Sequence, residues 1–191
     1  MRVSVTPTAL PEVLLVESFA VRDERGFFAE VFHAEHWAAA GLPTSWVQDN
    51  HSRSRGGVLR GIHWQDDSAP MAKLVRCTRG AVLDVAVDLR FGSPTFGRWV
   101  SQRLEEGDGR QLLVPQGFGH AFLALESITE VQYKCSGFYA PAAEGALRWD
   151  DPELAIEWPV DRPIVSARDS AAGSFAEYRT DPVFSYVHSP A

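Results

Sequence analysis

The chain has 191 residues, enough for one domain with a sizeable core, and its 45% hydrophobic and 23% charged content is that of an ordinary globular protein. A net charge of −7 and an isoelectric point near 5.3 argue against general DNA or RNA binding. A small anionic ligand stays compatible, because a pocket can be locally basic on an acidic molecule.

The start, MRVSVTPTALPEV, lacks an apolar run behind a basic end, so no secretory signal is expected. Strand-like apolar runs follow at 13–21 (VLLVESFAV) and 27–32 (FFAEVF). Residues 33–43 (HAEHWAAAGLP) predict a helix, from alanine-rich propensity and a Gly-Leu-Pro stop. The stretch 58-VLRGIHWQDDSAPMAKLVR-76 places Arg60, His63 and Lys73 in or beside runs that read as core strands. Further strands are predicted at 73–78, 81–89, 97–104, 111–115, 120–125 and 129–136, separated by turns such as TRG, FGSPTFG, EEGDGR and PQGFG. Within 81–89, Leu83, Val85, Val87 and Leu89 fall on one face and Asp84, Ala86 and Asp88 on the other. A second short helix is expected over 170–179, weakened by Gly173, and the tail after Thr180 reads as irregular. Many short strands at this spacing predict an all-β sandwich, jelly roll or barrel with small peripheral helices. There is no internal repeat. No segment of about 20 residues is apolar enough to span a bilayer. Cys77 and Cys135 form no CxxC pair, which points to a reduced, intracellular and by default cytoplasmic protein.

Several residues have two readings. Arg60 and His63 are an odd number of residues apart, so in a regular strand they face opposite ways; a bulge at Gly61 is one way to bring both into the same cavity. His63 is otherwise a core histidine bonded to a carbonyl. His120, after the turn PQGFG, sits at a cavity mouth or on a surface turn. Tyr133 is a core tyrosine with a satisfied hydroxyl or a proton donor, and Lys73 a solvated strand end or a stabiliser of a developing oxyanion. No H-x-H occurs, and His33 and His36, spaced i, i+3, have no evident third ligand, so no metal is expected. No G-x-S-x-G, P-loop or G-x-G-x-x-G is present, so no nucleotide cofactor of the Rossmann kind is expected either.

The chain to about Asp169 resembles the dTDP-4-dehydrorhamnose 3,5-epimerase family. The likeness is carried in order by DERGFFAEVF (23–32), QDNHSRS (48–54), GVLRGIHWQ (57–65), AKLVRCTRGAVLDVAVDLRFGSPTFGRW (72–99), VPQGFGHAF (114–122), YKCSGFYAPAAE (133–144), DDPELAIEWP (150–159) and SARD (166–169). The resemblance implies one domain over 1–191, a cupin-type jelly roll over about 13–160 and a C-terminal extension over about 161–191. It also implies a homodimer, no cofactor, no metal, and a dTDP-linked 4-keto-6-deoxy sugar as substrate, inverted at C3 and C5. His63 is implied as the base, Asp169 as its supporting carboxylate, Lys73 as the group that holds the enolate oxygen and Tyr133 as the acid from the opposite face. Tyr139 is implied near the sugar. Arg60, and Arg25 from the partner subunit, are implied at the diphosphate, and Phe28, Glu30, Gln48, Asn50, His120, Glu144 and Arg168 at other substrate contacts.

This chain departs from the family pattern at Ala121, where a glycine is common, at Trp64, at 69-APMAK-73, and at Arg168 in place of a frequent lysine. The Ala121 methyl is expected to narrow the pocket or shift its strand. These departures leave single epimerisation, at C3 or C5, as the nearest alternative. A non-catalytic nucleotide-sugar-binding jelly roll and a metal-dependent cupin enzyme are the rivals from other classes.

Overall fold

The structure, a computed structural model, describes residues 3–187; positions 188–191 of the expected C-terminal extension lie outside the described residues. In chain order the strands are β1 (Val3–Pro7), β2 (Leu14–Ser18), β3 (Ala20–Asp23), β4 (Gly26–Ala29) and, after helix α1 (Ala34–Ala39), β5 (Gln48–Arg55), β6 (Leu59–Gln65), β7 (Lys73–Arg79) and β8 (Ala81–Asp88). They continue with β9 (Arg90–Phe91), β10 (Trp99–Glu105), β11 (Arg110–Val114), β12 (Phe118–Ala124), β13 (Ile128–Cys135) and β14 (Glu144–Ala146). Helices α2 (Ala167–Ser170) and α3 (Phe175–Tyr178) and strand β15 (Phe184–Ser185) follow.

A six-stranded sheet, ordered β1-β2-β11-β7-β13-β5, faces a five-stranded sheet, ordered β10-β8-β12-β6-β14. Every pairing within these two sheets is antiparallel. The arrangement is the expected all-β jelly roll of the cupin type, with only short helices added. One end of the space between the sheets is filled by Val75, Cys77, Val82, Ala86, Leu104, Leu112, Phe118 and Val131. The other end is left open as a cavity lined by Arg60, His63, Lys73, His120 and Tyr133 among others.

The outer faces are also covered. Beyond the five-stranded sheet, Ile62, Trp64, Val85, Val87 and Leu89 pack against Leu147, Leu154, Phe175, Tyr178 and Phe184 of the C-terminal segment. Asp151 fastens that segment by accepting from the backbone N–H groups of Glu153, Leu154 and Phe175 at 2.9, 3.1 and 2.8 Å. The predicted alternation of β8 is therefore present, but both of its faces are buried, and the polar one points inward. Asp84 and Asp88 are both fully buried.

Of the expected helix over 170–179, only α3 and the last residue of α2 are helical, with Gly173 between them. Strand β5 lies where apolar periodicity predicted none. Its sequence, QDNHSRSR, is polar throughout because one face looks into the cavity and the other to solvent.

Candidate active site

Strand β6 carries the central residue. Opposite it on β12, His120 pairs with His63 and Phe122 pairs with Arg60, so Gly61 and Ile62 together oppose Ala121. The extra residue is a bulge. It cancels the odd spacing, and Arg60 and His63 both line one cavity. Gly61 has φ +123°, and a Cβ there would lie 2.5 Å from the Ala121 Cβ and 2.6 Å from the His120 carbonyl oxygen, so only glycine fits. Ala121 itself lies among the residues of the sheet's outer face, its methyl against Gly61. The expectation that this methyl narrows the pocket is corrected: strand alternation points it away from the cavity. Trp64 likewise turns outward, with its ring 5.4 Å from that of Tyr178.

The cavity has a volume of about 500 Å³. Arg60, His63 and His120 line it from the five-stranded sheet, Ser52, Lys73 and Tyr133 from the six-stranded sheet, and Ser166, Arg168 and Asp169 from the C-terminal segment. An adjoining space of about 250 Å³ shares His63, Lys73 and Tyr133 and adds Gln48, Asn50, Tyr139 and Glu144. The imidazole and the phenol thus stand on opposite walls, with the lysine on the strand next to the phenol.

Asp169 reaches His63 because the C-terminal segment runs along the start of β6. Leu59 donates to the Ile164 carbonyl at 3.0 Å and Ile164 donates to that of Gly57 at 2.7 Å. Ser166 then caps α2, its hydroxyl accepting from the Asp169 N–H at 3.0 Å. The buried Asp169 carboxylate lies 2.6 Å from His63 Nε2. It accepts from Nε2–H, which fixes the tautomer and leaves Nδ1 with the lone pair.

Burial lowers the His63 pKa below its ordinary value; Asp169 opposes that shift and Lys73 adds to it. Burial also lowers Lys73 and raises Tyr133. The imidazole is therefore held neutral and the phenol protonated, the states a base and an acid require. At the mouth, Glu144 accepts from the Tyr139 hydroxyl and from Arg168, both at 2.7 Å. Against the cost of its burial, these two partners hold Glu144 below the usual carboxylate range.

Three of the expected residues are not in this cavity. Arg25 and Phe28 belong to the β3–β4 hairpin and are exposed, Arg25 paired with Asp23. Glu30 is turned to His36, its Oε1 2.8 Å from Nδ1. Sequence reasoning missed Asp84, which lies 2.6 Å from His120 Nε2 and holds that ring as Asp169 holds His63. Its signal was an aspartate inside an otherwise apolar run.

A jelly roll whose open end sets an imidazole–carboxylate pair across from a phenol and an ammonium group has the parts of an acid–base isomerase. Residues 7–177 match the dTDP-4-dehydrorhamnose 3,5-epimerase family, and the chain belongs to it. It is 49% identical over 174 residues to a dTDP-4-dehydrorhamnose 3,5-epimerase of Pseudomonas aeruginosa, covering 90% of this chain and 96% of that one. It is 45% identical over 158 residues to a dTDP-4-dehydrorhamnose 3-epimerase of Streptomyces niveus, covering 82% of this chain and 76% of the other. The crystal structure of a dTDP-6-deoxy-D-glucose-3,5-epimerase from Legionella pneumophila, in complex with dTDP-4-keto-L-rhamnose, superposes with a TM-score of 0.92 at 39% identity, over 98% of this chain and all of that one.

Proposed function

We propose that this protein inverts C3 and C5 of dTDP-4-dehydro-6-deoxy-glucose, giving dTDP-4-dehydrorhamnose, by enolisation on each side of the C4 ketone. One observation carries the reading: His63 and Tyr133 flank a single cavity from opposite sheets, with Lys73 beside the phenol. A proton beside a ketone is too weakly acidic for an unaided imidazole, so the charge that develops on O4 needs a partner. Lys73, on the wall of the cavity, is that partner. His63 Nδ1 takes the proton, Asp169 steadies the imidazolium, and Tyr133 returns a proton to the opposite face of the carbon. Nothing is oxidised overall, so the reaction needs no redox cofactor.

Arg60 holds the diphosphate in this reading, and Tyr139, Gln48, Asn50, His120, Glu144 and Arg168 contact the rest of the nucleotide sugar. The β3–β4 hairpin bears on oligomeric state. Phe19, Val21, Phe27 and Phe28 are 62%, 49%, 51% and 65% exposed, a run of apolar side chains suited to a second copy of the chain. A homodimer would bury them and bring Arg25, Phe28 and the nearby Glu30 toward the partner's cavity; light scattering of the purified protein gives the mass. The free, buried Cys77 and Cys135 suit the reducing cytoplasm. Among the described residues no helix is long and apolar enough to cross a membrane.

Proton NMR in deuterated water tests the function. Exchange and inversion at both C3 and C5 is the expected result. The second reading is inversion at one carbon, the activity named for the similar Streptomyces niveus 3-epimerase, and one inverted position would establish it. Binding of the nucleotide sugar without solvent exchange at either carbon would overturn both.

A further inference from the structure

We propose that Gln65 is a positioning residue: its side-chain amide holds Tyr139 at the mouth of the cavity and so sets the affinity for the nucleotide sugar. The inference rests on the substrate contact proposed above for Tyr139. Gln65 lies on β6 two residues beyond His63, on the same side of the strand, and is 6% exposed. Its Nε2 donates to the carbonyls of Ala69 and Phe138 at 2.8 and 3.2 Å. Its Oε1 accepts from the Ala140 N–H at 2.7 Å. Both donors of the amide are thus used within the protein, and Gln65 acts on a ligand through what it holds.

Phe138 and Ala140 are the two chain neighbours of Tyr139, so one buried amide grips the backbone on each side of that ring. Tyr139 is 53% exposed and lies outside the helices and strands, so side-chain bonds rather than a sheet ladder keep it in place. Its N–H donates to Gln48 Oε1 at 3.1 Å and its hydroxyl to Glu144 at 2.7 Å. Glu144 in turn pairs with Gln65 across β14 and β6. Ala69 belongs to the segment between β6 and β7, which packs along the segment that carries Tyr139. The Ala72 N–H donates to the Ser136 hydroxyl oxygen at 2.8 Å, and the Ser136 N–H to the Ala72 carbonyl at 3.0 Å. A Cβ at Gly137 would lie 2.5 Å from the Pro70 carbonyl oxygen, so the two segments touch there. The first segment ends at Lys73, and the second leaves the strand that bears Tyr133. Gln65 therefore ties the strand of the imidazole to the segments that adjoin the ammonium group and the phenol.

The test is calorimetric binding of dTDP-glucose, a nucleotide sugar without the ketone, to the full-length protein, together with steady-state kinetics on the 4-keto substrate. Gln65→Leu leaves three backbone groups unpaired and should raise Kd and KM about 10-fold or more, with kcat within about threefold of wild type. The acid limb of kcat/KM should stay where the wild type has it, because the bond between His63 and Asp169 does not involve Gln65. The near-isosteric Gln65→Glu keeps the acceptor for Ala140 and turns an oxygen toward two carbonyls. Its excess Kd over wild type should shrink as pH falls and the carboxyl gains a proton to donate. Tyr139→Ala should weaken binding as much as Gln65→Leu, and the double variant little further. A lowered Tm in Gln65→Leu with unchanged Kd and KM, or additive losses in the double variant, would overturn the proposal, as would a wild-type Kd in Tyr139→Ala. Solvent exchange by the wild-type protein reports on the epimerisation itself, which none of these outcomes touches.

Discussion

His63 and Asp169 stand 106 positions apart in the chain, and their side chains meet at 2.6 Å. The carboxylate raises an imidazole pKa that burial lowers further. Asp169→Asn should therefore move the acid limb of kcat/KM, which already lies below pH 6.5, to still lower pH. Turnover on the plateau should fall about 10²–10⁴-fold, as the ring loses its tautomer and its counter-charge. The same depression gives stability its sign. The unfolded chain takes up the proton first, so the contribution of His63 is complete above pH 6.5 and is lost as pH falls toward the folded value. A pH–rate profile and a pH series of Tm check both statements.

His63→Ala should lower turnover about 10²–10⁴-fold while circular dichroism stays that of the wild type. Near wild-type turnover would remove His63 from the chemistry. Tyr133→Phe separates the two half-reactions. Deprotonation by His63 survives and delivery from the other face does not, so solvent exchange should outlast inversion. Equal loss of both would make Tyr133 a wall of the pocket rather than its acid.

Lys73→Met should do opposite things to activity and stability. Removing the ammonium group from beside the ketone should cost about 10²–10³ in kcat. Burial also holds the Lys73 pKa below its ordinary value, so charging this amine costs free energy in the folded state. Methionine lifts that cost, and the inactive variant should gain about 0.5–2 kcal/mol in denaturant unfolding. A destabilised Lys73→Met protein would mean that the ammonium is satisfied where it lies.

Gly61→Ala should destabilise the fold by more than about 2 kcal/mol, through a positive φ and a collision with β12. The added Cβ would meet the Ala121 Cα and the His120 carbonyl, each at 2.6 Å, as well as the Ala121 methyl. Adding Ala121→Gly removes only the methyl, so the double variant should recover little in thermal or denaturant melts.

Much of this architecture is legible in local pattern. Most strands after residue 57 announce themselves by alternation and by the turns between them, and the bulge at Gly61 follows from a glycine between two polar residues of odd spacing. Strand β5 escapes because hydrophobic periodicity reports a strand only when one face meets a core, and the inward residues of β5, among them Gln48, Asn50 and Ser52, meet a cavity. Alternation puts Asp84 on the face of β8 opposite Leu83, Val85 and Val87, but does not say that both faces of that strand are covered. The approach of Asp169 to His63, and of Glu30 to His36, depends on where an irregular segment crosses a regular one. Periodicity carries no trace of such a crossing; only resemblance to the family pointed to Asp169.

Strand β6 changes phase once, between Arg60 and His63. Before that step even-numbered side chains look inward, and after it odd-numbered ones do. Were β6 to pair with β12 one residue to one, with no bulge, every named group would stay in the chain and the two surfaces of the strand would still be exchanged beyond Gly61. The imidazole would then press on the aromatic layer under the C-terminal segment, and an indole would meet the sugar. Orientation in this strand thus depends on counting as much as on chemistry: one residue taken up by the bulge decides which way the imidazole looks.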